Sequence, residues 1–331
     1  MPLHDIHYQH WKGVHVGIWA RRWVIAKNGL AACLQNRVLR GLIVLCWGGG
    51  LAMVAALFIV SQLLVPDSIV VQWVEQLNPG LQTFARLLTS WLYEHPEISV
   101  RTTQNVLFFY CCTLLTPAGI FALGVAMPLL ITRDLASSAI VIYSSKAVTR
   151  WDYLLGKFCT AFGLLTLTFL GPLCGAWFIG NLLAPDWRFF WHSRAALGNV
   201  LIYGVASMCI LSALALGVSA ISSKEKTTPF LWFMWWVLGF FIQPIAVNTR
   251  PWLRHLSFTY NLEQIRLATF RLGNDVNTAR DNIPILGDML NGIPKKTMET
   301  LNHPTIWGAV AALLLMLAGV ALIIRKRVRP E

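Results

Sequence analysis

The chain has 331 residues, 56% of them hydrophobic and only 13% charged, with a mean hydropathy of +0.57. A soluble domain carries about a quarter of charged residues, so the composition excludes one and points to a polytopic membrane protein. The net charge of +12 is dispersed, which fits membrane orientation and attraction to anionic headgroups and argues against nucleic-acid binding.

Residues 1–40 read as a cytoplasmic N-terminal region. His4, His7, His10 and His15 are spaced so that imidazoles would stack on one helical face, as in some metal-binding tracts. Only Asp5 is a nearby carboxylate, and terminal segments are commonly mobile, so no metal is assigned. The region is not expected to be a secretory signal, since it is long and polar and the first apolar run exceeds a signal core. Trp19, Trp23, Ala26, Leu30, Leu34 and Val38 recur at spacings of three and four, with Arg21, Arg22, Lys27, Gln35 and Arg37 elsewhere on the wheel. This predicts an interfacial amphipathic helix that includes Trp19, Arg22 and Trp23. Packing on the protein's own cytoplasmic face is a compatible alternative.

Six apolar runs follow, at 41–65, 105–131, 158–183, 197–221, 230–247 and 305–324, within a spanning domain of 41–324. About 20 helical residues cross a ~30 Å hydrocarbon core. None of the six runs carries an ionisable residue in its interior, which argues against an ion- or proton-coupled carrier. The mild interior polarity (Thr113, Thr116, Asn199, Ser207, Ser212, Ser219, Gln243) can satisfy backbone freed at Pro117, Pro128, Pro172 and Pro244, or line a substrate path. Gly171-x-x-x-Gly175, Gly48-Gly49-Gly50 and the small residues 213–217 mark close helix contacts, either within the bundle or at a dimer seam.

Lys and Arg in the flanks orient the spans. Six basic residues in 1–40, four in 132–157, two in 222–229 and those of the 325–331 tail fall on one side. The 66–104 loop has two against four acids. Both termini are therefore expected in the cytoplasm of a cell inner or plasma membrane. The 248–304 segment carries seven basic residues on the other side, tolerated because long segments obey the charge rule poorly. Two external helices are expected, one through Trp73, Leu77, Phe84, Leu88, Trp91 and Leu92, the other through Leu262, Ile265, Leu267, Phe270 and Leu272. They lie in the outer headgroups or pack on the span ends.

The seven cysteines form no Cys-x-x-Cys pair, and none lies in an external loop, so no disulfide framework is implied. No phosphate-cradling loop, catalytic triad pattern or zincin helix is present; the chain is expected not to be an enzyme and to hold no cofactor.

The connection at 131–157 reads ITRDLASSAIVIYSSKAVTRWDYLLGK, far longer than a helix pair needs to reverse direction. With six spans, an N-terminal interfacial helix and a large external segment before the last span, the chain resembles the permease subunits of type-2 ATP-binding-cassette (ABC) transporters. In that family the connection reads as a charged turn, a Ser-Gly-Thr, an apolar stretch, then Pro-Val-Ser-Arg and Leu-Leu-Gly-Lys. Arg133-Asp134 stands at the turn, Ser137-Ser138 at the small-residue step, and 147–157 matches the end, with Ala147 replacing the proline and Asp134 alone replacing a glutamate pair. The segment 255–262 is similar to the family's external Leu-Ser-Pro stretch, without its proline.

The resemblance implies an all-α integral membrane protein of six transmembrane helices with an N-terminal interfacial helix, a cytoplasmic coupling helix and external helices. It also implies a separate cytoplasmic ATPase subunit that binds the ATP, and a second permease chain, identical or not. Arg133, Asp134, Ser137, Ser138, Ile140, Tyr143, Lys146, Arg150, Asp152 and Lys157 are the expected ATPase-docking residues. Export of a substrate is the implied function. The alternative is a non-transporting membrane anchor that transmits ATPase motion to a partner.

Overall fold

The computed structural model describes residues 17–65, 68, 71–72, 89–138, 149–248, 250–282 and 295–327. It is all-α among the described residues, and six helices are long and apolar enough to cross a membrane. They are Arg37–Leu63, Pro96–Ala136, Arg150–Leu182, Arg188–Ser219, Thr227–Ala246 and Ile306–Arg327, each overlapping one apolar run. This is a multi-pass membrane protein. The helical elements are α1 (Ile18–Gln35), α2 (Arg37–Leu63), α3 (Pro96–Met127), α4 (Arg133–Ala136), α5 (Arg150–Leu165), α6 (Gly171–Leu182), α7 (Arg188–Ser219), α8 (Thr227–Asn248), α9 (Phe258–Phe270), α10 (Leu272–Asn282), α11 (Lys295–Asn302) and α12 (Ile306–Arg327). Residues 66–67, 69–70 and 73–88 lie outside the description, and with them most of the predicted first external helix.

Local chemistry sets the helix boundaries. Asn36 is extended and its side chain accepts from the Val38 N–H at 2.9 Å, ending α1 and capping α2 in one residue. Pro96 occupies the first turn of α3, where its missing N–H costs nothing. Ser257 caps α9, and Arg271 closes it in the left-handed region at φ 50°, ψ 40°.

Two spans contain a π-helical turn beside a proline, and each has a visible cause. The second span runs α3, then Pro128–Thr132, then α4. There the Ser219 hydroxyl from α7 enters the ladder: its Oγ accepts from the Ile131 N–H at 2.8 Å and donates to the Met127 carbonyl at 3.1 Å. A side chain inserted into the hydrogen-bond ladder forces such a bulge. The third span runs α5, then Thr166–Leu170, then α6, with the Gly171 N–H bonded to the Thr166 carbonyl. In that register Leu167 would next accept from residue 172, but Pro172 has no N–H. The Trp47 indole of α2 donates to Leu167 instead, at 3.1 Å.

Close backbone approach, rather than a hydrophobic drive, joins helices in lipid. The small-residue stretches serve this purpose inside the chain. Trp47 lies against both Gly171 and Gly175, and a Cβ on Gly50 would stand 3.1 Å from the Pro172 carbonyl oxygen. A Cβ on Gly217 would stand 2.4 Å from Val320 of α12. Gly48 and Gly49, by contrast, face open space.

At one end of the bundle, α9 and α10 press inward. Phe258, Leu262, Leu267, Phe270 and Leu272 are all buried, so this segment between the last two spans packs into the bundle. The Asn105 amide of α3 donates to the Phe270 carbonyl at 2.7 Å and to Asp275, and accepts from Asn199 at 3.0 Å. Gln104 and Asn181 pair nearby at 2.7 Å.

Candidate functional site

The opposite end of the bundle gathers the residues that the 131–157 connection singles out. The α1 helix lies along the start of the third span, one of the largest contacts in the molecule. A Cβ on Gly156 would meet Ile25, and one on Gly29 would meet Thr160, so the two helices touch backbone to side chain. The face of α1 that packs runs through Arg22, Ala26, Gly29 and Cys33. It shares Ala26 with the predicted stripe, whose Leu30 also lies against Gly163 of α5, while Trp19 and Trp23 stand to one side of the contact. Trp19 and Trp23 are exposed, and the Arg22 guanidinium lies 4.6 Å from the Trp19 ring centre.

Asp152 holds α1 in place. Its Oδ1 accepts from Arg22 Nε at 2.6 Å, and its Oδ2 accepts from the Thr149 hydroxyl at 2.6 Å and the Thr149 N–H at 3.3 Å. In return the Asp152 N–H donates to Thr149 Oγ1 at 3.2 Å, which completes a capping box at the start of α5. Both carboxylate oxygens are thus occupied inside the chain. The signal was present in the sequence as Thr149-x-x-Asp152, although its third partner, Arg22, lies far away in the chain.

Asp134 fastens the other side of the connection. Its Oδ2 accepts from the Tyr153 hydroxyl at 2.6 Å and from Lys157 Nζ at 2.8 Å. Lys157 also donates to the Leu129 carbonyl, at 3.1 Å, beside the π turn. The last turn of the second span and the first two turns of the third are therefore locked together by charge-assisted bonds in a half-dry setting. Beneath them Thr132 Oγ1 donates to the Ser219 carbonyl at 3.0 Å and lies 3.1 Å from Thr228 Oγ1, which ties in α7 and α8.

Arg133 and Arg150 point elsewhere. Arg133 pairs with Glu225 at 3.1 Å on the surface, where such a bond contributes little. Arg150 Nη2 donates to the Ile324 carbonyl at 2.5 Å, one of the last carbonyls of α12, which lack partners within the helix. Ser137 and Ser138 are exposed; the Ser137 hydroxyl donates to the Arg133 carbonyl at 2.9 Å, and Ser138 has a left-handed φ of 55°. Ile140, Tyr143 and Lys146 lie outside the described residues, as do the N-terminal histidines. Of the ten docking candidates, Asp134, Arg150, Asp152 and Lys157 hold the chain to itself, while Arg133, Ser137 and Ser138 face outward. Among the described residues no cluster of His, Cys, Asp and Glu has the makeup of a metal site.

Two buried ionisable groups escaped the reading of the six runs because they come from the segment between the last two spans. Arg266 of α9 is buried, with its guanidinium 4.5 Å from the Phe109 ring centre and Glu263 3.7 Å away. Its Nε has no hydrogen-bond partner among the described residues. Asp275 of α10 is also buried; desolvation raises its carboxyl above the usual range, opposed by the Asn105 hydrogen bond and the charge of Arg101.

No protein-family model matches the chain, and no curated protein matches it.

Proposed function

We propose that this chain is the permease subunit of a type-2 ABC transporter, docked through its 133–149 connection onto a separate cytoplasmic ATPase subunit. The observation that carries the reading is the double lock on that connection. Asp134 is bound to Tyr153 and Lys157, and Asp152 to Thr149 and Arg22, so the two described ends of the connection stand on a fixed base. A lever must be rigid at its root if a push from outside is to tilt the spans rather than bend the loop. The network reaches α1, α7 and α8 as well, so the force would spread through the bundle.

Ser138 adds support. It stands at the glycine of the family's Ser-Gly-Thr step, and its left-handed φ of 55° is the conformation that glycine adopts without a Cβ penalty. In this reading α1 lies at the cytoplasmic interface with Trp19 and Trp23 in the headgroups, and Arg133, Ser137 and Ser138 face the ATPase. Closure of two ATPase subunits on ATP rocks two six-helix chains against each other, and substrate leaves outward.

Purification from the native membrane in mild detergent tests this. The expected result is a soluble ATP-hydrolysing subunit present one-to-one with the chain. A chain that purifies alone, or with membrane proteins only, contradicts the proposal.

A further inference from the structure

A groove of about 630 Å³ runs up one side of the bundle between α5, α7 and α12, at the end where the 133–149 connection emerges. Its walls are apolar: Leu154 and Phe158 on one side, Leu216 at the back, Leu317 and Val320 on the other. The space exists because α7 presents the small Ala213 beside Leu216 there, and Gly217 lets α12 come close. Its lip, at Leu155 and Ala321, is exposed and continuous with the outward apolar face that includes Leu322. An occupant therefore enters from the hydrocarbon.

The mouth has a different chemistry. Arg150, held by its bond to the Ile324 carbonyl, and Arg325 both line the groove at this end. Lys326 and Arg327 follow in the same turn of α12. Trp151, 73% exposed beside Arg150, belongs at headgroup depth, where tryptophan partitions. A guanidinium pair at the headgroup level above an apolar slot is complementary to a phosphate ester carrying an acyl chain.

The groove's volume lies within the usual range of about 300–1,000 Å³ for small-molecule sites. A purely apolar helix face would bring no negative charge to the basic end of the groove, where Arg325, Lys326 and Arg327 stand together.

We propose that this groove binds one anionic phospholipid from the leaflet at this end, with its phosphate between Arg150 and Arg325 and an acyl chain along α5, α7 and α12. The site stands apart from the permease reading, because it needs only a bilayer.

The test is lipid retention. The full chain is reconstituted in vesicles of phosphatidylcholine containing one part in five phosphatidylglycerol, re-extracted in mild detergent, and weighed intact by native mass spectrometry. About one phosphatidylglycerol per chain is expected, enriched over its share of the vesicle. Arg325→Glu should lower the enrichment about fivefold or more, since one basic side chain near the surface is worth that much toward an anionic lipid. Ala321→Trp, at an exposed position on the lip, should abolish it with the melting temperature unchanged. Arg188→Glu, the same charge change at the other end of the bundle, should leave it intact. Bound lipid in the vesicle ratio, or enrichment that survives both Arg325→Glu and Ala321→Trp, overturns the proposal. A wild-type mass of two chains that falls to one in Ala321→Trp also overturns it, and gives the groove to a second copy.

Discussion

Arg22 Nε lies 2.6 Å from Asp152 Oδ1, joining the first helix to the start of the third span across 130 residues of sequence. Asp152 is nearly enclosed, and Arg22 is shielded on one side by Trp19. The pair therefore differs from the surface bond of Arg133 and Glu225, where both side chains are half exposed.

Asp152→Ala removes both the bond to Arg22 and the cap on α5. Loss of a cap alone costs about 1 kcal/mol. The melting temperature in detergent should fall for Asp152→Ala and for Arg22→Ala, and the double variant should fall by less than their sum. A coupling energy of about 0.5–3 kcal/mol is expected for two groups in one network. Strict additivity would mean that α1 is held by its packing alone.

Ser219→Ala deletes the hydroxyl that serves two N–H groups and one carbonyl at the π turn. Leaving buried backbone groups without partners costs about 1–3 kcal/mol. The melting temperature should drop, and the 131 and 132 amides should exchange with solvent faster than in the parent chain. Unchanged exchange would show that the turn is held by Pro128 and not by Ser219.

Gly217→Ala sets a methyl 2.4 Å from Val320, a β-branched side chain with little rotamer freedom. Overpacking of this kind costs about 1–3 kcal/mol. Val320→Ala in the same chain should restore most of the loss. Failure of that rescue would place the strain elsewhere on α12.

Asp275 gives a pH dependence with a definite sign. Its folded carboxyl titrates above the unfolded one because burial disfavours the charge, so the folded state binds more protons over the interval between them. Stability is drawn down as pH rises from about 3.9, the unfolded value, through the raised folded value. Asp275→Asn keeps an oxygen for the Asn105 amide and should flatten that part of the profile, melting higher than the parent at pH 7. A variant less stable than the parent at pH 7 contradicts this account.

The parts of the molecule that were legible in the sequence are those with one-dimensional causes. Twenty apolar residues in a row have few alternatives to a span, and each of the six runs overlaps one long apolar helix. Ser219 was marked as a group able to satisfy freed backbone, and it bonds the Met127 carbonyl and the Ile131 and Thr132 N–H groups at the π turn beside Pro128. What escaped the sequence were relations between distant positions. Of the predicted α1 stripe, Ala26 and Leu30 do pack against the third span while Trp19 and Trp23 stay exposed, and the closest approach, at Gly29 and Gly156, leaves no apolar signal in the sequence. Arg266 reads as one more external charge until α9 folds inward and sets it against Phe109. Arg150 carries the motif match, but its hydrogen bond goes to the sixth span.

The central claim is that an ATPase subunit docks on the 133–149 connection, and a cross-link from Ser137 tests it most directly. A photo-reactive amino acid replaces Ser137, which is exposed beside the locked base, and a second chain carries it at Trp187, exposed at the opposite end of the bundle. Illumination of intact cells should join position 137, and not 187, to a soluble nucleotide-binding subunit of constant mass. Cross-links at 137 only to lipid or to the chain itself, with that subunit absent, would contradict the account.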